Sequence, residues 1–404
     1  MDKRKNPYSP GAGIQPPALV GRDQLLEDAN IEMDRLLNGK PIRGMMLLGL
    51  RGVGKTVLLN RIQRDANAKG MLTAKIETPE GGKLPELLIP DLRRMLYELD
   101  LIASSGEKVR RGMSALRNFG SAFKVSIGEI ELGISPSPGV ADTGNLEQDV
   151  PQLLISIAEA AKERNKTIVL FIDEVQYLSE KELAAIVVSC HEIAQRDLPF
   201  LFIGAGLPQI AALAGNAKSY SERLFNYPEV DKLSAEAASQ ALSLPADKEN
   251  VFFEAEAIAE ILKVTDRYPY FIQEWGAKVW DFAKQSPITQ SDVMTTTPLV
   301  ISHLDKNFFR VRFDRLTALQ QKYLRAMAEL GSSPYKTGDI SAVLGMGRAS
   351  QVSTIRQQLI DKGMIWSQRH GETAFTVPLF DEFMKRQIPG MELHVPKKRN
   401  KKFS

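Results

Sequence analysis

The chain has 404 residues, 43% of them hydrophobic and a quarter charged, with a formal net charge of +3. That length exceeds what one compact core supports and predicts two or three domains, while so small a charge excludes any case for a polyanion partner made from net charge alone. One cysteine, Cys190, excludes an internal disulfide framework and fits a reducing compartment, with the cytoplasm as the expected location.

No apolar run reaches the roughly 18–20 residues of a membrane helix, and the stretch from Met1 to Pro7 lacks the apolar segment of a signal peptide, so a soluble protein without a membrane partner is expected. Residues 1–18 contain Pro7, Pro10, Pro16 and Pro17 and read as an extended lead-in with no core of its own. From 19 to 232, apolar β-type runs alternate with helical periodicity, which predicts an α/β domain: a parallel sheet with helices on both faces. The strands fall at Met45 to Leu48, Leu72 to Ile76, Thr167 to Ile172 and Phe200 to Ile203. A long insertion near 102–144 embellishes this domain. It follows a helical stretch from Leu84 to about Leu101. A basic stretch carrying Lys108, Arg110, Arg111 and Arg117 comes next, then a hairpin-like alternation within Phe123 to Ile134 that shifts phase near Gly128. The basic stretch is either a phosphate contact or a solvated helix face.

The first strand runs into Gly49-Leu50-Arg51-Gly52-Val53-Gly54-Lys55-Thr56, a complete G-x-x-x-x-G-K-T loop, and an amphipathic stretch begins at Val57. A strand entering a glycine-rich turn that opens a helix aims several backbone N–H groups at one point, where polyphosphate binds. Gly49, Gly52, Val53 and Gly54 keep the backbone close to it, Lys55 brings a cation to the β- and γ-phosphates, and Thr56 brings a hydroxyl for Mg²⁺. The third strand, Ile168-Val169-Leu170-Phe171-Ile172, ends in Asp173-Glu174. Ligands of a parallel sheet sit beyond the carboxyl ends of its strands, so both acids are expected at the same crevice, Asp173 for Mg²⁺ and Glu174 for the attacking water.

Residues 233–304 read as a helical unit with a break at Pro269. Its aromatic residues Trp275, Trp280, Tyr268, Tyr270 and Phe271 are expected in the core of that unit. Within 305–390, helices at Leu316 to Leu330, Thr337 to Leu344 and Ala349 to Lys362, followed by a two-stranded ribbon, predict a winged helix-turn-helix. In its recognition helix, Val352, Ile355 and Leu359 form a buried stripe. Ser350, Ser353, Thr354 and Gln357 face outward, flanked by Arg348 and Arg356, with Arg369, His370 and Gly371 at the wing tip. Asp361 on the same side opposes phosphate contact. This module either meets duplex DNA or docks on protein. Residues 391–404 form a basic tail. His191, His303, His370 and His394 show no metal-ligand spacing, and Cys190 is expected to pack within a helix between Lys181 and Gln195.

Leu19-Val20-Gly21-Arg22-Asp23, the phosphate loop, the Asp173-Glu174 pair and Gly204-Ala205-Gly206-Leu207-Pro208 together resemble the AAA+ ATPases of the Orc1/Cdc6-like branch, which borders on the STAND signalling NTPases. The resemblance spans about 19–384 and implies a P-loop NTPase core, a helical lid and a C-terminal winged helix. It further implies that Val20 and Gly21 pack on adenine, or else form a structural turn, and that Val57 belongs to the nucleotide-binding segment. Arg223 falls where relatives place an arginine finger, with a surface ion pair as the alternative, and Arg267 where the lid presents a sensor to the nucleotide. Many relatives place Asn, Ser or Thr after the fourth strand; Gly204, Ala205 and Gly206 stand there instead, so slow hydrolysis is expected. The implied function is a nucleotide-dependent switch that uses ATP and Mg²⁺ and couples homo-oligomerisation to DNA binding. A STAND-like scaffold whose winged helix binds protein, and an ATPase regulator of a mobile element, are the alternatives.

Overall fold

The computed structural model describes residues 1–102, 106–125, 139–331, 333–346, 348–367, 369 and 371–390. The hairpin expected beyond Val125, His370 and the basic tail fall outside the described residues. The chain divides into two compact units: Gly21–Gly49 with Gly54–Val230, and Met1–Val20 with Leu50–Val53 and Asp231–Ser404. Among the described residues, no helix is long and apolar enough to cross a membrane.

The unit beginning at Gly21 contains α1 (Asp23–Leu37), β1 (Gly44–Leu48), α2 (Lys55–Ala68), β2 (Leu72–Glu77), α3 (Leu84–Ile102), α4 (Glu107–Ala122), α5 (Leu146–Glu163), β3 (Ile168–Asp173), α6 (Glu180–Gln195), β4 (Phe200–Gly206), α7 (Ile210–Ala217), α8 (Ser221–Leu224) and β5 (Phe225–Asn226). The strands form one parallel sheet in the order β2-β3-β4-β1-β5. Every residue of β1, β3 and β4 is buried, because both faces are covered, and that is why these strands read as continuous apolar runs without alternation. Met46, Ala74, Leu170 and Phe202 turn to one face, in a single cluster with α3, α4, α5 and α6. Helices α1 and α2 pack on the sheet through Met33, Leu58, Leu59 and Ile62, which lie outside that cluster.

All four expected strands are present, and β3 and β4 run further toward their carboxyl ends, to Asp173 and Gly206. The fifth, β5, was not expected: two residues are too short for a periodicity, and its place is set by pairing with Gly44 and Met45. The basic stretch lies on α4, with Lys108, Arg110, Arg111 and Arg117 exposed and Val109, Met113 and Leu116 in the core, the pattern of a solvated helix face.

The other unit holds α9 (Ala235–Asp247), α10 (Ala255–Val264), α11 (Pro269–Phe282) and α12 (Gln290–Leu304). Ser234 caps α9, Pro269 occupies the first turn of α11, and Thr289 with Asp292 forms a capping box on α12. Phe271, Trp275 and Trp280 are buried in this core as expected. The lead-in has no core of its own, yet it is seated in this one. Tyr8 is 6% exposed and donates to the Leu242 carbonyl at 2.5 Å, while the Trp280 indole donates to the Asp2 carbonyl at 3.1 Å. Gly276 makes room for the Tyr8 ring, since a Cβ there would lie 2.8 Å from it.

Helix α12 continues through a π-helical turn, Asp305–Phe309, into α13 (Arg310–Phe313), so the chain is helical across the point where the sequence divides lid from winged helix. Then follow α14 (Ala318–Glu329), β6 (Tyr335–Lys336), α15 (Thr337–Val343), a 3-10 turn Ala349–Val352 leading into α16 (Ser353–Asp361), β7 (Ile365–Trp366), β8 (Glu372–Phe375) and α17 (Phe380–Gln387). Three helices and an antiparallel sheet in the order β6-β8-β7 make the winged helix. The expected two-stranded ribbon is corrected to three strands, because Tyr335 and Lys336 pair with Thr373 and Glu372. Val352, Ile355 and Leu359 are buried as expected.

Candidate functional site

Helix α2 starts at Lys55, directly after the glycine turn. Gly54 has φ +94° and Gly52 φ +83°, a left-handed backbone that favours residues without a Cβ, so glycine at these two positions follows from the shape of the turn. The Gly49 amide donates to the Gly206 carbonyl at 3.0 Å, which fastens the entry of the loop to the end of β4. Lys55 is 7% exposed and its ammonium donates to the Gly49 carbonyl at 2.8 Å.

The end of β3 meets the start of α2. The Thr56 hydroxyl donates to Asp173 Oδ2 at 2.6 Å, and the Glu174 amide donates to Oδ1 of the same carboxylate at 2.9 Å. Asp173 is 2% exposed, and burial raises its carboxyl above the ordinary range, against the pull of the Thr56 hydrogen bond. A buried carboxylate beside a hydroxyl, at the end of a phosphate-type loop, is an oxygen donor set suited to Mg²⁺ with a retained water shell. One further observation fits such a group. Thr78 follows β2, its amide donates to the Asp173 carbonyl at 3.1 Å, and its hydroxyl is buried with no hydrogen-bond partner among the described residues. Sequence reasoning missed Thr78; a polar residue just past a buried strand was its only signal.

Glu174 sits at φ +54° and ψ +41°, an uncommon backbone for a residue with a side chain, which turns the chain sharply out of β3. Its carboxylate accepts from the Gln176 side-chain amide, and Gln176 Oε1 accepts from the Leu207 amide at 3.0 Å. Gln176 was not singled out from the sequence.

The tip of the loop has partners of its own. The Arg51 amide donates to the Thr376 carbonyl at 3.0 Å, and the Gly52 carbonyl accepts from the Tyr270 amide at 3.2 Å. Arg267 lies just before α11 at φ +60°, half-buried, and its carbonyl accepts from the Leu233 amide at 3.1 Å. Val20 is half-buried, and Gly21, at φ +68°, forms the turn before α1. Arg223 is exposed on the short α8, and no acid among the described residues pairs with it. Because β5 begins beside Gly44, the first residue of β1, Arg223 stands at the amino end of the sheet, away from the strand ends that carry Asp173 and Gly206.

On the winged helix the outward set differs from the expectation in one respect. Arg356 does not flank the surface: its guanidinium donates to Ser367 Oγ at 2.7 Å and to the Glu372 carbonyl, tying α16 to the hairpin. Gln357 is engaged with Asp361 at 2.8 Å. Ser350, Ser353, Thr354, Arg348 and Arg369 are exposed.

Comparison with known proteins follows the same division. Residues 18–203 match the model of the AAA ATPase domain, and residues 306–384 match a domain of unknown function, DUF8462. No curated protein matches the chain significantly. Among solved structures, the Walker-type ATPase PABY2304 of Pyrococcus abyssi is similar at 16% identity, with 92% of this chain and 97% of that one covered and a TM-score of 0.53, a likeness that speaks for the fold. The RuvB Holliday junction branch migration motor of Thermotoga maritima (16% identity, 94% and 100% covered, TM-score 0.46) and the Orc1 protein of Aeropyrum pernix in complex with DNA (14% identity, 91% and 93% covered, TM-score 0.47) are more distant. The G-x-x-x-x-G-K-T loop opening a helix, the acid pair ending a buried parallel strand and the family match over residues 18–203 identify this part of the chain as an AAA ATPase domain, in keeping with the resemblance to the Orc1/Cdc6-like branch.

Proposed function

We propose that this protein binds ATP with Mg²⁺, hydrolyses it slowly, and uses its nucleotide state to switch self-association and contact with duplex DNA through the winged helix. The 2.6 Å bond between Thr56 and Asp173 carries the reading, because it brings the two residues expected to hold Mg²⁺ from separate elements to one point. Bound there, Mg²⁺ would neutralise charge on the phosphates. The amides of Gly52, Val53 and Gly54, with the start of α2 at Lys55, Thr56 and Val57, bind the polyphosphate, and the Lys55 ammonium exchanges its Gly49 carbonyl for phosphate oxygen. Glu174 orients and deprotonates the attacking water. Arg223, paired with no acid among the described residues and at the far end of the sheet from Asp173, serves the nucleotide of a neighbouring copy as a finger. Val20 and Gly21 take the adenine, and Arg267 is the sensor from the lid.

DNA contact rests on the exposed Ser350, Ser353, Thr354, Arg348 and Arg369. The internal engagement of Arg356 and Gln357 favours a second reading, in which this surface docks on protein as in a STAND-like scaffold. Light scattering with ADP, with a non-hydrolysable ATP analogue and with duplex DNA tests the switch: larger assemblies with the analogue than with ADP are expected. Repeating the DNA titration across salt separates the two readings. A steep fall of affinity with salt marks phosphate contacts, and a flat response favours the scaffold. Lys55→Ala, expected to abolish the heat of nucleotide binding, is the control; retained binding would remove the site.

A further inference from the structure

The carboxyl end of β4 carries Gly204, Ala205 and Gly206, none with a polar side chain. The structure supplies a reason at Gly206. A Cβ there would fall far inside contact distance of Gln176 Oε1 and Ile210 Cδ1, and 3.3 Å from the Val175 amide nitrogen. The space beside the end of β4 is therefore taken by a carboxamide that arrives from the 3-10 turn Val175–Tyr177, directly after the acid pair.

The orientation of that carboxamide is set by its neighbours. The Leu207 amide can only donate, so it faces Oε1, and an ionised Glu174 can only accept, so it faces the NH₂ group. Gln176 thus spans two strands' ends: one bond reaches the carboxylate after β3 and the other the backbone after β4. Glu174 also leaves its strand through a left-handed residue, so its carboxylate needs a second anchor to keep one position.

We propose that Gln176 is the positioning residue for Glu174, supplying from the turn after β3 the polar group absent from the end of β4. With one hydrogen bond to the Glu174 carboxylate and one from the Leu207 amide, Gln176 acts through Glu174. The inference rests on the role proposed above for Glu174.

Two variants test it. Gln176→Glu keeps the oxygen that accepts from Leu207 and loses the donor to Glu174; Gln176→Met keeps the volume and loses both. Each is expected to lower kcat about 10- to 100-fold, the loss usual when a group that orients an active-site ligand is removed, with the Kd for ATP unchanged by calorimetry. A purely structural Gln176 would instead leave Gln176→Glu near the native rate. A native or faster rate in either variant, or a loss of kcat matched by loss of ATP affinity, overturns the proposal. Glu174→Gln is assayed alongside. If it blocks turnover while the Gln176 variants do not, the positioning role alone falls; if it turns over at the native rate, the role of Glu174 falls and the positioning role with it.

Discussion

The Arg51 amide donates to the Thr376 carbonyl at 3.0 Å, so the phosphate-type loop and the residue following β8 of the winged helix share a backbone hydrogen bond. Gly52, next in the loop, accepts from Tyr270 in the first turn of α11. An aromatic seam joins these two anchor points. Tyr270 stacks on Phe308 with centroids 4.8 Å apart, and Phe309 stacks on Phe383 at 5.2 Å and meets Phe380 at 5.8 Å. Phe309, 1% exposed, is at its centre. Phe309→Ala is expected to cost about 3–5 kcal/mol in chemical denaturation. It is also expected to weaken ADP binding by calorimetry, since Arg51 and Gly52 lose partners held in fixed positions.

Glu174→Gln retains the shape of the side chain and removes its capacity to accept a proton from water. The expected outcome is a drop in kcat of about 10²- to 10⁴-fold with ATP affinity intact, read by phosphate release and by calorimetry on the same preparation. Turnover at the native rate would place the base elsewhere.

Asp173 links the site to stability. Burial raises its folded-state pKa above the unfolded value, so the folded chain holds this proton more tightly than the unfolded one. The stability that accompanies protonation is present below the ordinary carboxyl pKa and is lost as pH rises through the raised one. At neutral pH the buried ionised carboxylate is then a net cost. Asp173→Asn is expected to raise the unfolding temperature at pH 7 in chelator, with a gain that shrinks toward acid pH, while Mg²⁺-dependent turnover disappears. An unfolding temperature lowered equally at both pH values would contradict this.

Arg223 stands at the amino end of the sheet, and under the proposed role as a finger for a neighbour's nucleotide Arg223→Ala should lower kcat by about 10³-fold or more without changing ATP affinity. Mixing Arg223→Ala with Glu174→Gln protomers should restore part of the activity, because some interfaces then pair an intact Arg223 with an intact Glu174. No recovery on mixing, with mixed assemblies confirmed by light scattering, would exclude action across an interface.

Much of the candidate site was legible because its signals are local. The glycines at 52 and 54 are demanded by the turn they occupy, and Asp173 and Glu174 end a strand whose burial on both faces makes its sequence continuously apolar. The stripe Val352, Ile355 and Leu359 announced α16 and the 3-10 turn that leads into it by the same local logic. Strand β5 was hidden, since two residues carry no period and Phe225 is a strand residue only by pairing with Gly44. Tyr8 gave no sign of entering the helical core, a placement that depends on the space left by Gly276.

By itself the sequence determined the glycine-rich loop, the acid pair, the buried strands and the three-helix winged module, because each is written in neighbouring residues whose spacing matches a backbone period or a turn. Only the tertiary structure decided that Thr56 reaches Asp173, that Gln176 fills the space Gly206 leaves open, that Arg356 is spent on Ser367, and that Arg51 is bonded to Thr376. Those pairings join segments far apart along the chain, and their geometry follows from packing and from the need of buried donors and acceptors for partners, neither of which a local pattern records.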